Sequence, residues 1–163
     1  MLNEYLDFAR GEGGEEARET DLADLVRDAA AAAAKARRAG PERLELAAQS
    51  DIHLFVRRHA LKRCTTNVID NALKYGKHVN VALKRNGTHM EILVDDDGPG
   101  IPEERREEAF RPFHRLDQGR NLQTGGSGLG LAIARDIARA HGGDIVLRES
   151  AMGGLQAAIR LPV

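Results

Sequence analysis

Residues 78–100 read HVNVALKRNGTHMEILVDDDGPG, and this stretch decides the fold. Apolar and polar residues alternate on both sides of Asn86-Gly87, a dipeptide that accepts the positive φ angles of a tight hairpin turn. The pattern therefore predicts two antiparallel strands, over 78–85 and 88–95. A hairpin of this length needs a further layer to cover its apolar face.

The second strand places a carboxylate on its apolar side. Period-two alternation sends Asp96 to the same side as Ile92 and Val94. An inward carboxylate needs a partner because burying an unpaired charge is costly, and the amino group of an adenine is a suitable donor. Gly98 and Gly100 would let the backbone pass close to a flat base. The alternative is a polar turn, since Asp-Gly-Pro-Gly is also ordinary turn chemistry.

A second group of polar residues lies on the helix predicted over 57–75. Asn67, Asn71 and Lys74 are spaced i, i+4, i+7 and share one face beside an apolar stripe. The amide oxygen of Asn71 suits Mg²⁺, which binds largely through substrate phosphates. Lys74 can add a positive charge for phosphates, and Tyr75 can pack against a base. For these residues taken alone, a solvated helix face is the alternative.

A glycine-rich segment from Gly125 to Gly130 leads into a helix predicted over 129–141. Glycines before a helix leave backbone N–H groups unpaired, and these groups attract phosphate oxygens together with the helix dipole. The segment lacks the ending of a Walker loop and does not follow a strand, which disfavours a dinucleotide-binding fold. The basic, aperiodic residues 111–124 predict either a lid over a nucleotide or a disordered loop.

The remaining pattern alternates helices with short strands. We expect a helix capped by Thr20 or Asp21 that runs to Gly40, and a short helix near 103–109. Further strands are expected over 43–48, 52–56, 144–149 and 155–161. This mixture predicts an α+β fold, a two-layer sandwich whose mixed, mostly antiparallel sheet is covered on one face by about three helices.

Composition limits the classes of function that remain. The chain has 163 residues, 42% hydrophobic and 30% charged, which is enough for one ordinary core. A net charge of -1 argues against a nucleic-acid partner. The single Cys64 excludes an internal disulfide, and no Cys/His cluster has zinc spacing, so a reducing cytoplasm is expected. No apolar run or signal peptide predicts membrane contact by this domain.

The first residues are expected to belong to another region. Residues 1–10 have apolar positions at helical spacing, but the glycines from Gly11 to Gly14 end that helix early, and so short a helix is marginal in water. We therefore interpret 1–10 as the end of a longer helix, 11–17 as linker and 18–163 as the catalytic domain. A frayed terminus is the alternative.

In this order, the motifs resemble the catalytic, ATP-binding domain of bacterial sensor histidine kinases. These kinases belong to the gyrase, chaperone, histidine kinase and mismatch-repair ATPase superfamily, and osmosensor kinases of the EnvZ type are the most similar in arrangement. The resemblance covers about 20–163 and implies a Bergerat-type ATP-binding fold. Its boxes match 67–75 (N box), 96–100 (first glycine box), 110–113 (phenylalanine box) and 126–131 (second glycine box).

The resemblance implies a role for individual residues. Asn71 would bind Mg²⁺, Asp96 the adenine amino group, and Lys74 and the Gly128–Gly130 backbone the phosphates, while Phe110 and Phe113 would anchor the lid. Asn71, Lys74 and Arg115 are the candidate catalytic residues. The candidate nucleotide-binding residues are Asn67, Asn71, Lys74, Tyr75, Asp96, Gly98, Gly100, Ile101, Phe113, Gly126, Ser127, Gly128, Leu129 and Gly130. The last glycine box, at Gly153-Gly154-Leu155, lacks its usual threonine and stays unassigned.

One position separates kinases from hydrolases in this superfamily. Hydrolases resemble one another in having a glutamate, four residues before the metal asparagine, that activates water, whereas this chain has Asn67. An amide cannot accept a proton at neutral pH, so transfer to a side chain is expected.

The expected function follows from that position and from what the chain lacks. We expect the ATP-binding catalytic domain of a two-component sensor kinase, the cytoplasmic part of an inner-membrane protein. It would phosphorylate a histidine on its own dimerisation domain, which lies outside this chain, and a response regulator would receive the phosphate later. None of the six histidines lies in a phosphoacceptor motif, so the chain alone should not autophosphorylate. A nucleotide-binding regulatory module, of pseudokinase or anti-sigma type, and a related ATP hydrolase remain as alternatives.

Overall fold

The computed structural model describes residues 14–48, 52–112 and 129–163. Two short 3₁₀ helices, Glu103–Arg105 and Glu107–Phe110, follow the predicted hairpin. The strands and helices in chain order are β1 (Arg18–Asp21), α1 (Leu22–Arg37), β2 (Leu44–Ala47), β3 (His53–Val56), α2 (Arg58–Tyr75), β4 (Val79–Asn86), β5 (His89–Asp96), α3 (Gly130–Ala140), β6 (Asp144–Glu149) and β7 (Leu155–Pro162).

The hairpin forms as predicted and lies in the middle of a five-stranded sheet. β4 and β5 pair antiparallel with Val81 opposite Val94, and Gly87 in the turn has a φ of 62°. The sheet order is β2-β4-β5-β7-β6, in which only β2 and β4 are parallel. The prediction of a mixed, mostly antiparallel sheet is therefore confirmed.

Three helices cover one face of this sheet and bury its apolar side chains. In each helix the apolar residues recur at three- and four-residue spacing, so they form one stripe that faces the sheet. Each fully buried branched side chain stabilises the fold by about 1.5–3 kcal/mol. Fully buried members of the core include Leu25, Ile69, Ile92, Ile133, Ile137 and Ile159. The expected two-layer α+β sandwich is confirmed.

The other face of the sheet is polar, and one charge on it is buried. Glu91 is only 2% exposed, and the arginines at 148 and 160 cover its carboxylate. Its Oε2 lies 3.3 Å from Arg148 Nη2 and 3.3 Å from Arg160 Nε, although the Arg160 contact lacks hydrogen-bond alignment. Two arginines thus supply the opposite charge that a buried carboxylate needs.

The ends of the first two helices are capped in different ways. Asp21 caps α1, since its Oδ1 accepts the backbone N–H of Ala23 at 3.0 Å and of Asp24 at 3.3 Å. The helix ends at Arg37, three residues before the expected Gly40, where Arg38 adopts a left-handed φ of 53°. α2 has no such local cap, because the side chain of Arg57 makes no capping hydrogen bond.

The segment preceding β1 supplies the missing cap of α2. Glu15 Oε2 accepts the N–H of His59 at 2.8 Å, and Oε1 accepts the N–H of Ala60 at 3.0 Å. A carboxylate at a helix N-terminus satisfies free N–H groups and is attracted by the helix dipole. The last residues of the expected linker are therefore attached to the asparagine helix. The helix expected over 1–10 lies outside the described residues.

The sequence did not predict β1. This strand pairs antiparallel with β3 to form a separate two-stranded sheet, with Arg18 opposite Val56. Its residues, Arg-Glu-Thr-Asp, show no apolar alternation, so only the open edge of β3 explains the strand. None of the helices in the described residues is long and apolar enough to span a bilayer.

Candidate functional site

The polar face of α2 borders the core as the spacing predicted. Leu61, Cys64 and Val68 are buried, at 0%, 0% and 1% exposed, whereas Asn67 and Asn71 are half-buried. The face therefore lies at the edge of the core, where amide groups remain accessible to a ligand. Among the described residues no group of three or more His, Cys, Asp or Glu side chains could hold a metal ion.

The C-terminal end of α2 carries the two other predicted residues of this face. Lys74 is half-buried, and its ammonium lies 5.2 Å from the centre of the Tyr75 ring. Tyr75 itself is 36% exposed. A cation over a ring face is a weak attraction at such an open place, about 0.5–1 kcal/mol. The ammonium of Lys74 thus lies beside the Tyr75 ring at the C-terminal end of α2.

Asn67, in the middle of α2, contacts the start of α3. Its Nδ2 donates a hydrogen bond of 3.3 Å to the carbonyl oxygen of Gly130, the first residue of α3. Leu129 just before it is fully buried. The N box and the end of the second glycine box are thus adjacent. Five other predicted residues, Phe113, Arg115, Gly126, Ser127 and Gly128, lie outside the described residues.

Asp96 is the one carboxylate at the end of β5 that faces the helices. It is 3% exposed, and its Oδ1 accepts the backbone N–H of Gly98 at 2.9 Å and of Leu155 at 3.2 Å. Within the described part of the chain, no hydrogen bond reaches Oδ2. Burial raises the pKa of Asp96, although the two N–H groups oppose the effect. The inward direction predicted by strand parity is confirmed.

The two neighbouring aspartates support the site from other directions. Asp97 Oδ1 accepts the N–H of Lys77 at 2.7 Å and of His78 at 2.9 Å, and Oδ2 lies 2.8 Å from His78 Nδ1. The N–H and side chain of His78 lower the pKa of Asp97 to about 2. Asp95 points to the other face of the sheet, where Ser150 Oγ donates to it at 2.8 Å. The three aspartates therefore do not form a simple polar turn, because Asp96 points inward while Asp95 and Asp97 hold neighbouring segments through hydrogen bonds.

Backbone passes unusually close to Asp96 on several sides. A Cβ on Gly98 would lie 2.7 Å from the carbonyl oxygen of Tyr75, and Gly100, with a φ of 70°, lies against Gly154. Ile101 is half-buried and packs against the core. Glycine is therefore needed at Gly98 for the close approach to Tyr75 and at Gly100 for its positive φ, while the room that the two glycines would leave for a base stays a prediction.

Sequence reasoning missed the residue that fixes the phenylalanine box. The guanidinium of Arg135 on α3 lies 4.1 Å from the centre of the Phe110 ring, which is 9% exposed. The same guanidinium pairs with Glu107 at 2.7 Å and with Asp144 at 3.1 Å. An arginine on a helix face has no distinctive sequence signal, because its partners come from two other segments, the 3₁₀ helix Glu107–Phe110 and the start of β6.

A second missed contact lies under the N box. Arg37 at the end of α1 binds Asp70 in a bidentate manner, with Nε to Oδ1 at 2.7 Å and Nη2 to Oδ2 at 3.1 Å. Such a fork is the geometry in which arginine pairs best with a carboxylate. The pair fixes α1 against the part of α2 that lies between Asn67 and Asn71.

The segments that carry Asp96 and the polar face of α2 match a known protein family. Residues 56–163 match the family of histidine kinase-, DNA gyrase B- and HSP90-like ATPases. Because the match covers more than half of the chain, the chain belongs to this family. It is an ATP-binding domain of the histidine kinase type, so the predicted family is confirmed.

Individual relatives narrow the comparison to sensor kinases. The sensor histidine kinase GtrS of Pseudomonas aeruginosa is 48% identical over 103 residues, which are 63% of this chain and 21% of GtrS. The histidine-protein kinase/phosphatase MprB of Mycobacterium bovis is 34% identical over 168 residues, 94% of this chain and 31% of MprB. The chain thus spans about a fifth to a third of these curated relatives.

A solved structure agrees with the expected subgroup. The histidine kinase domain of the E. coli osmosensor EnvZ superposes with a TM-score of 0.64 at 34% identity, covering 91% of this chain and 89% of that one. The EnvZ-like arrangement predicted from the order of the motifs is therefore confirmed.

Proposed function

We propose that this chain binds ATP with Mg²⁺ and donates its γ-phosphoryl group to a histidine on a dimerisation domain outside the chain. The observation that carries the proposal is Asp96, a buried carboxylate with one oxygen held by two N–H groups and the other facing no described donor. A buried acceptor without a partner costs free energy, and the amino group of adenine would satisfy it.

The described residues suit separate parts of the nucleotide. Asp96 accepts the amino group, Gly98 and Gly100 leave room for the base, and Tyr75 at the rim covers it. Asn71 offers an amide oxygen to Mg²⁺, and Lys74 offers a positive charge to the phosphates. When bound, ATP supplies the transferred phosphoryl group and Mg²⁺ offsets its charge.

Leu129 and Gly130 complete the phosphate side at the start of α3. The N-terminal end of that helix favours negative charge, because its first N–H groups have no partner within the helix. Residues Phe113, Arg115, Gly126, Ser127 and Gly128 are proposed to close the same side, with Arg115 near the transferred group. These assignments rest on the family resemblance: Gly126, Ser127 and Gly128 precede Gly130 in the second glycine box, and Phe113 and Arg115 lie at and just after the end of the phenylalanine box.

Transfer to a side chain is favoured over hydrolysis by the contact of Asn67. Its amide donates to Gly130, and an amide has no basic atom that could take a proton from water. The residue thus positions the start of α3 and cannot act as a general base. The named relatives are sensor kinases, which also disfavours the hydrolase alternative.

The parts outside the catalytic domain follow the same proposal. Residues 1–17 would be the end of the dimerisation helix and its linker, and 18–163 the catalytic domain. The Glu15 cap on α2 suits a linker that must hold this domain in place. A response regulator would be the later acceptor of the phosphate, and the domain would work in the cytoplasm below a membrane-anchored sensor.

The experiment supplies the phosphoacceptor domain in trans with γ-labelled ATP and Mg²⁺. The parent chain should label the histidine, and Asn71→Ala should abolish labelling while the domain stays folded. Binding of ATP without any labelling would favour a regulatory module. Steady release of inorganic phosphate by the chain alone, lost in Asn71→Ala, would identify a hydrolase.

A further inference from the structure

The turn between β6 and β7 ends directly against Asp96. The N–H of Leu155 donates to Asp96 Oδ1 at 3.2 Å, although the two residues are far apart in the chain. The turn itself is closed by the N–H of Ser150, which donates to the carbonyl oxygen of Gly154 at 2.9 Å. The position of the turn thus decides where the Leu155 N–H points.

The same turn is also held from the opposite face of the sheet. Ser150 Oγ donates to Asp95 Oδ1 at 2.8 Å and accepts the N–H of Met152 at 3.0 Å. Consecutive strand residues point to opposite faces, so Asp95 accepts a hydrogen bond from Ser150 on one side of the turn and Asp96 accepts one from Leu155 on the other side. Ser150 is 5% exposed, which shields these hydrogen bonds from water.

Gly154 has no room for a side chain. A Cβ there would overlap the Asp96 carboxylate and lie 2.6 Å from the backbone nitrogen of Gly98. Its φ is not in the left-handed region, so space and not backbone conformation requires glycine. The crowding atoms are the carboxylate of Asp96, its backbone carbonyl oxygen, and the backbone nitrogen of Gly98, which is one of the two N–H groups that hold the carboxylate. They cannot move aside without changing the hydrogen bonds of Asp96.

We propose that Gly154 and the Leu155 N–H form a positioning clamp that fixes the rotation of the Asp96 carboxylate. With Oδ1 held by two N–H groups, only Oδ2 faces the base, and it is purely an acceptor. A 6-amino purine is accepted, whereas a 6-oxo purine would bring a second acceptor to the same place and be repelled. The clamp thereby sets base specificity, and this inference rests on the proposed ATP-binding function.

The clamp also gives a role to the glycine box that lacks its usual threonine. The contact with Asp96 comes from the backbone N–H, which every residue except proline carries. Leucine at 155 therefore supplies the donor without a hydroxyl, and its side chain remains buried at 5% exposed. Glycine at 154 is the residue type that cannot be exchanged.

The test measures affinities of the folded chain for three nucleotides with Mg²⁺. They are ATP, purine riboside triphosphate, which has hydrogen in place of the amino group, and inosine triphosphate, which has a 6-oxo group. The parent should prefer ATP over purine riboside triphosphate by about tenfold or more, as expected for a hydrogen bond to a charged group. The ratio of the two affinities isolates the contact to Asp96, because the phosphates and ribose are identical.

Gly154→Ala should reduce this ratio to about twofold or less, mainly through weaker ATP binding. Gly40→Ala is the matched control, because an added Cβ there meets only the end of the flexible Glu42 side chain, and its ratio should equal that of the parent. A merely structural role for Gly154 would weaken all three nucleotides equally and leave the ratio unchanged, which would overturn the proposal.

If Gly154→Ala does not fold, a second variant, Ser150→Ala, tests the clamp. Ser150→Ala adds no atoms and releases the turn from Asp95, so the same ratio should fall by about threefold. An unchanged ratio in this folded variant would contradict the clamp. If the parent itself binds no ATP, the proposed function fails as well, whereas a parent that prefers ATP with insensitive variants refutes the clamp alone.

Discussion

Replacing Asp96 by asparagine changes one atom of the site, and the structure decides where that atom goes. Two N–H groups, from Gly98 and Leu155, point at Oδ1 at 2.9 and 3.2 Å. An amide nitrogen cannot accept these hydrogen bonds, so the amide oxygen of Asp96→Asn must take the Oδ1 position. The NH₂ group then occupies the place of Oδ2 and faces the base.

The expected magnitude follows from the hydrogen bond that is lost. The adenine amino group would meet a donor in place of a charged acceptor, which removes about 1.5–3 kcal/mol and weakens ATP binding roughly 10- to 150-fold. Stability should change little, by about 1 kcal/mol or less, because the lost charge strengthened two hydrogen bonds but was costly to bury.

The assay is calorimetric titration of parent and Asp96→Asn with ATP and with inosine triphosphate in excess Mg²⁺. The variant should bind the inosine nucleotide better than ATP, because its NH₂ group can donate to the 6-oxo oxygen, while the parent keeps the opposite order. Thermal unfolding without nucleotide checks that both proteins are folded. Equal ATP affinity in a folded variant would refute the reasoning, and so would a loss that is equal for both nucleotides.

Three further predictions concern the supports of the site. The pKa of Asp97 falls from the ordinary 3.8 to about 2, so its contribution to stability is present above about pH 4 and is lost as the pH drops toward 2. Asp97→Asn should lower the free energy of unfolding by about 1–2 kcal/mol at pH 7 in urea unfolding, and it should reduce the loss of stability between pH 4 and 2. Asn67→Asp turns a donor to a carbonyl into a repelled acceptor and should cost about 1–3 kcal/mol in the same assay, whereas Asn80→Asp on the exposed side of β4 should be neutral. Glu15→Ala removes a helix cap and should cost about 0.5–2 kcal/mol and speed amide exchange at the start of α2; the exposed neighbour change Glu16→Ala should do neither, and equal effects of both would disprove the cap.

The effect of acid on stability through Asp96 has the opposite sign to its effect through the neighbouring Asp97. The pKa of Asp96 is raised by burial, so protonation favours the folded state, and this group opposes stability increasingly as the pH rises from 3.8 through the raised value. The proposed contact with the adenine amino group uses the ionised carboxylate, so the preference for ATP over purine riboside triphosphate should decline on acidification at a pH above the ordinary aspartate pKa of 3.8. The pKa values of these adjacent residues thus shift in opposite directions, because burial outweighs the two N–H hydrogen bonds at Asp96, whereas the hydrogen bonds from His78 and Lys77 outweigh burial at Asp97.

Much of the fold could be predicted because its signals are local. The hairpin around Asn86-Gly87, the cap at Asp21 and the spacing of Asn67 and Asn71 each depend on residues a few positions apart. β1 could not be predicted in this way, since its four polar residues become a strand only because β3 offers an open edge. The same holds for the site. The inward direction of Asp96 could be predicted from the alternation along β5, whereas the contacts of Arg135 with distant segments could not be predicted from the sequence.

The sequence by itself determined the order of the elements after β1, the inward direction of Asp96 and the family to which the chain belongs. All three depend on side-chain periodicity and on residue types at fixed spacing. Only the tertiary structure decided that Leu155 holds this carboxylate and that Glu15 caps α2. Those contacts join residues 59 and about 45 positions apart through backbone N–H groups. Nearly every residue carries a backbone N–H, so the sequence does not reveal which N–H groups act as donors to Asp96 and Glu15. Only the packing of the chain brings these particular donors and acceptors together.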